Sequence, residues 1–148
     1  ANDLVGRKLL LDGGAGFRAL MTEMDQTIAS VGIENDLVKQ FSAYKDTLQN
    51  TAQFIIDNAS SDANFVGAVG FNFLMQMGYV CGAWYHLSSF AIAQQKMDSN
   101  QGEAQFLANK KAAATFFMNQ LLPRATAYGN AVTAGADIGC GLSPSSFI

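Results

Sequence analysis

An all-α fold, an antiparallel bundle of about four long helices, is what this sequence predicts, and three observations carry the prediction. Proline stands only at positions 123 and 144 of 148, so little interrupts backbone hydrogen bonding. Apolar residues recur every three or four positions along most of the chain, the spacing of one helix face. No segment sustains the period-two alternation of a half-buried strand. The length of 148 residues suits one domain with one core. No internal repeat and no linker divides it, and the domain is read as residues 1–138 with an irregular tail, 139–148.

The first segment, "NDLVGRKLLLDGGAGFRALMTEMDQTIASVG", opens with Asn2 or Asp3 as a plausible N-cap. Gly13–Gly14 should break or bend it. Beyond them Phe17, Leu20, Met21, Met24 and Ile28 make one apolar face, and Gly32 reads as a stop. The second segment, about Asn35 to Asn58, is capped by the Asn35/Asp36 pair. Leu37, Phe41, Tyr44, Leu48, Ala52, Ile55 and Ile56 share its inner side, while Lys39, Lys45, Asp46 and Gln49 take the remaining turns.

Ser60 or Ser61 is the predicted N-cap of the third helix, with Asp62 near its positive end. That helix runs to about Asp98, and "DSNQGE" then turns the chain. A last long helix starts near Gln101, and Pro123 should kink it or end its first half, because proline lacks a backbone donor. The tail "GCGLSPSSFI" is rich in turn formers and predicts no regular structure.

From Ala63 to Gln95 the third helix carries no Asp, Glu, Lys or Arg, a length sufficient to span a bilayer. Its polar residues argue against a span. Asn72, Gln76, Tyr79, His86 and Gln94 fall near one line, together with Ala83 and Phe90. Such a stripe predicts one face turned to a wet or hydrogen-bonding surface and the rest buried. Basic residues are also missing from both flanks apart from Lys96, so no topogenic asymmetry orients it. Gly67, Gly70, Gly78 and Gly82 then read as points where neighbouring helices approach closely in a bundle. No membrane span is expected.

Composition limits the chemistry. Charged residues are 14% of the chain, against about 25% in an average soluble domain, so part of the surface is expected to be covered. A net charge of −3, with only Arg7–Lys8 and Lys110–Lys111 as basic pairs, predicts no nucleic-acid footprint. Cys81 and Cys140 form neither metal spacing nor a disulfide framework. No signal peptide opens the chain, and the expected location is cytoplasmic. His86 is the only histidine and has no carboxylate at helical spacing. Glu23/Asp25 and Glu34/Asp36 are two apart and point different ways on a helix. Gly13-Gly14-Ala15-Gly16 lacks the preceding strand of a phosphate cradle and reads as a helix break.

The pieces "DLVGRKLLLDGG" and "ANKKAAATFFMNQLLPRATAYGNAVTAGAD", in that order, carry a family resemblance. Together they resemble the C-terminal part of the larger acyl-CoA dehydrogenases, the methylthio-propionyl-CoA dehydrogenase-like group. The matching residues are Asp3 to Lys8, Gly13–Gly14, the long helix through Trp84, Phe116–Phe117, Leu121 to Ala125, and Gly135 to Asp137. No single motif decides it; order and spacing do.

The resemblance implies an enzyme that binds FAD and an acyl-CoA thioester. Such enzymes remove an α-proton and a β-hydride to leave a trans-2-enoyl-CoA. Their catalytic glutamate lies in a "YEGTN"-like segment just before the "DLVGRK" piece, and this chain starts after that point. The resemblance therefore carries over no catalytic, cofactor-binding or metal-binding residue. It implies a structural and oligomerising helical domain, with no FAD expected in the fragment itself. Its partners would be the upstream domains and further copies of the enzyme. Two other functions compete: a nucleic-acid-binding variant of the architecture, which needs a basic face, and a stand-alone bundle holding an apolar ligand or partner helix.

Overall fold

A computed structural model describes residues 1–32, 35–61, 64–135 and 145. Among them it holds five α-helices and no strand: α1 (Ala15–Val31), α2 (Asp36–Asn58), α3 (Phe65–Asp98), α4 (Ala104–Phe116) and α5 (Arg124–Thr133). Two π-helical turns, Leu4–Leu9 and Phe117–Leu121, precede α1 and join α4 to α5. The boundary expected at 138 and the irregular tail, Ser145 apart, lie outside the described residues, as do Glu34, Asp62 and Cys140.

Side-chain pairs show the helix directions. Down α3 the residues Gln94, His86, Tyr79 and Gln76 meet Lys111, Phe117, Tyr128 and Gly129 in turn. One number falls as the other rises, so α4 and α5 together run antiparallel to α3. Thr51 and Phe54 of α2 meet Gln76 and Phe65 in the same opposed sense. Phe17 and Thr27 of α1 meet Phe73 and Trp84, which makes α1 parallel to α3. The result is the up-down-up-down bundle that the sequence predicts, with its last member broken in two.

The predicted inner faces hold. Phe17, Met21 and Met24 of α1 are buried, as are Phe41, Leu48, Ala52 and Ile55 of α2. Removing each large apolar side chain from water contributes roughly 1.5–3 kcal/mol. One residue departs from its predicted place. Lys45 is buried, although the pattern puts it among the solvated turns of α2. Its long stem lies in the core and its ammonium reaches Asp25 of α1 and Asp46.

The helix ends also depart in places. Asn35 caps α2 as predicted, its side chain accepting from Leu37 N at 2.9 Å. The third helix starts at Phe65 after Asn64 rather than at the serines, and Ser61 Oγ donates back to Asn58 O at 2.7 Å. The fourth starts at Ala104 rather than Gln101, because Glu103 closes its first turn by accepting from Gln105 N and Phe106 N. Gly102 precedes that cap at φ 84°, in the left-handed region open to glycine.

Pro123 acts one turn earlier than a simple kink would place it. The backbone opens into the π turn Phe117–Leu121, where Leu122 N donates to Phe117 O, and α5 restarts behind the proline. A π turn holds more residues per turn than an α-helix. That keeps Ala114, Met118 and Leu122 in one buried line across the junction.

α3 is long and apolar enough to cross a membrane, with a third of its most apolar stretch buried in the bundle. It touches every other helical element. Lodging it in a bilayer would strip it of α1, α2, α4 and α5.

Candidate functional site

The polar stripe of α3 points inward. Gln76 is wholly buried, its Nε2 donating to Thr51 Oγ1 at 3.2 Å. Gly129 leaves it room: a Cβ there would sit 2.6 Å from Gln76 Nε2. Gln76 Oε1 is buried without a protein partner among the described residues. Tyr79 stacks on Tyr128 at 5.9 Å, and His86 stacks on Phe117 at 4.5 Å. At the far end Lys111 donates to Gln94 and lies over the Phe90 ring at 5.1 Å. The stripe is therefore the joint between α3 and the α4–α5 arm, not a surface turned to another domain or to water. Up to Gln95 α3 carries no charge, and its few polar groups were drawn to partners inside the bundle.

The glycine-rich run "GGAG" forms an anion nest that the chain fills with its own carboxylate. Gly14, at φ 85°, aims the first amides of α1 back at Asp12. Asp12 Oδ1 accepts from Gly14 N at 3.1 Å and Ala15 N at 2.9 Å, and Oδ2 accepts from Gly16 N at 3.0 Å. The Gly16 amide chiefly, with those of Ala15 and Gly14, holds this carboxyl below the usual carboxylate range. No free phosphate cradle remains there. The expected break is a capped helix start.

The other candidates stay apart. Asp25 is engaged by Lys45, and Asp36 lies 3.8 Å from Lys39 on its own helix. Burial pushes the Cys81 thiol up, away from the reactive thiolate. Among the described residues no three His, Cys, Asp or Glu gather as metal ligands. Of the basic groups, Arg7 pairs with Asp3, Lys39 lies near Asp36, and Lys110 lies over Phe106. A cavity of about 240 Å³ opens between the first π turn, α1 and α3, lined by Leu4, Leu9, Phe17, Leu20, Phe73 and Met77 with Lys8 at its rim.

Among the described residues no site for FAD is assembled. The cofactor needs a slot for a three-ring system and several donors for a pyrophosphate. The amide nest is filled by Asp12, and the apolar cavity is smaller than the ~300 Å³ at which small-molecule pockets begin. The open grooves between α1 and α3 carry no basic side chain. No chemical step is assigned to this chain's residues.

What the chain does match is a domain. A family model described as "Acetyl-CoA dehydrogenase C-terminal like" matches residues 20–142. The 3-methylmercaptopropionyl-CoA dehydrogenase of Ruegeria pomeroyi (strain ATCC 700808 / DSM 15171 / DSS-3) is 30% identical over 147 residues, which cover 93% of this chain and 24% of that protein. The chain thus spans about a quarter of the length of this relative. An all-helical bundle whose resemblance rests on the order of its pieces and whose family match covers most of its length belongs to the acyl-CoA dehydrogenase family, in its C-terminal helical domain.

Proposed function

We propose that this chain is the C-terminal helical domain of an FAD-dependent acyl-CoA dehydrogenase. In that enzyme an acyl-CoA thioester is desaturated between its α and β carbons by residues and flavin held upstream. The role proposed for the 148 residues is structural: to pack against the upstream domains and to support assembly, with no catalytic base and no flavin site of their own. A cytoplasmic location is part of the same proposal. The observation that carries it is the nearly complete coverage of this chain by a stretch that makes only 24% of a dehydrogenase.

Reading the coding sequence upstream of Ala1 tests it. A continuous frame of several hundred codons with a glutamate in an "EGTN"-like segment is the expected result. A start codon within a few residues of Ala1 overturns it. The second reading, a stand-alone bundle holding an apolar ligand, would then take its place, with the cavity lined by Phe17, Phe73 and Met77 as the place to look.

A further inference from the structure

The open grooves between α1 and α3 lack a basic side chain, and their hydroxyl protons are already spent. Two of these grooves, of about 300 and 470 Å³, share Ser30, Val31, Ala91 and Gln95 as walls and so form one trough. A hydroxyl donates one proton and accepts on two lone pairs. Each hydroxyl of the trough returns its proton to a carbonyl of its own helix. Thr27 Oγ1 donates to Glu23 O at 3.2 Å, Ser30 Oγ to Thr27 O at 2.8 Å, Ser88 Oγ to Trp84 O at 3.0 Å and Ser99 Oγ to Gln95 O at 2.9 Å. Thr27 is further occupied by the indole of Trp84 at 2.7 Å. What Ser30, Ser88 and Ser99 present to the trough is lone pairs.

The charge has the same sign. Asp98 lines the end of the trough, and its Oδ1 accepts from Gln94 Nε2 at 2.7 Å. Among the described residues no lysine or arginine pairs with Asp98. Lys111 reaches Gln94 and the Phe90 ring from α4 but does not line the trough. The parallel helices α1 and α3 both end here, each with roughly half a negative charge on its last carbonyls. α2 and α4 start at this end, and Asp36 and Glu103 answer their positive poles.

Such a trough selects donors that carry positive charge. A neutral sugar brings acceptors as well as donors and would set lone pairs against lone pairs. A hard divalent ion asks for several carboxylates, and one lines the trough. From Ser88 to Asp98 α3 rises about 15 Å, and Val31, Ala91 and Ile92 form apolar wall along that length. We propose that the trough binds a linear aliphatic polyamine. Its methylenes lie along Val31, Ala91 and Ile92, and its ammonium groups donate to Ser30, Ser88, the Gln95 amide oxygen and the Asp98 carboxylate. This site goes beyond the function proposed above and does not depend on it.

The test is a titration with spermidine, by calorimetry on the 148-residue chain and on the longer polypeptide in which it occurs, and by amide shifts on the chain. Spermidine should bind both and move the amides of Ser30, Val31, Ala91 and Gln95 to saturation, while 1,8-octanediol, an uncharged chain of equal length, should not. Gln95 is exposed, so its charge variants should leave the helical melt intact. Gln95→Lys should weaken binding at least about tenfold, and Gln95→Glu should tighten it severalfold. Asp57→Asn makes the same change in net charge as Gln95→Lys, at the far end of α2, and should leave binding unchanged. The comparison of amine with diol on the wild type needs no variant to fold. Absence of a saturable shift, an equal response to the diol, or an affinity indifferent to the sign at position 95 overturns the proposal. Equal weakening by Asp57→Asn would reduce the effect to net charge and also overturns it. A longer polypeptide that leaves spermidine unbound would give the trough to the upstream chain, with the same consequence.

Discussion

Asp12 and Lys45 are two charged residues whose roles differ from those that their positions suggest. Asp12 stands two residues before a glycine at left-handed φ and closes the start of α1 with three accepted amide bonds. Asp12→Ala is expected to speed hydrogen exchange at Gly14, Ala15 and Gly16 while exchange in α2 stays unchanged. The carboxyl's folded pKa is depressed, so its contribution is present above the unfolded value and is lost as pH falls through the folded one. Acid melts of the wild type and Asp12→Asn should therefore begin to converge only as pH falls below about 4. For Lys45, burial alone would lower the ammonium's pKa. The hydrogen bond and charge of Asp25, with Asp46 beside it, outweigh burial, and the net shift is upward. That contribution is complete below the unfolded pKa of about 10.4 and lost as pH rises through the folded one. Asp25→Asn should lower stability by about 1 kcal/mol at neutral pH, since Asp25 is half-exposed, and flatten the alkaline loss in urea melts. Neither role was legible in the sequence. The pattern of α2 assigns Lys45 by polarity alone, and Asp12 stands three residues before the first residue of the helix that it caps.

At the scale of elements, the helices of ordinary amphipathicity were legible and α3 was not. In α1 and α2 the apolar spacing names the inner face, and Asn35 names the start of α2. α3 is apolar on every side, so periodicity cannot tell its inner face from its outer one. Polarity then misleads: Gln76, His86 and Gln94 face the α4–α5 arm, while Phe71, Tyr85 and Ile92 face outward. The packing of α3 on α5 makes a sharp prediction. Gly129→Ala places a Cβ 2.6 Å from the Gln76 amide, so the buried glutamine must shift from its bond to Thr51, and should cost about 1–3 kcal/mol in thermal or urea melts. The π turn before Pro123 makes another. Deleting exposed Asn119 would let α4 and α5 join as a regular helix. Five π residues and four α residues sweep about the same angle, so Ala125, Gly129 and Val132 would keep facing α3, but the Pro123 ring would be set against a backbone carbonyl one turn back. A loss of helical signal and melting temperature larger than that of Gly129→Ala is the expected outcome in circular dichroism.

For the whole molecule, the fold class and the family were legible in the sequence. Four long helical stretches and two prolines set the bundle. The order of "DLVGRK", the long helix and "LLPRA" set the resemblance that the family match over residues 20–142 then made firm. The bundle holds a nest filled from within, a polar joint consumed by its own arm, and exposed apolar side chains along α3. The measurement that tests the central proposal most directly is the visible flavin spectrum before and after adding an acyl-CoA. It should be taken on the longer polypeptide and on the 148-residue chain side by side. The account predicts a flavin band that the thioester bleaches in the longer polypeptide and no flavin band in the folded chain alone. A bleachable flavin in the chain alone, or none in the longer polypeptide, would contradict it.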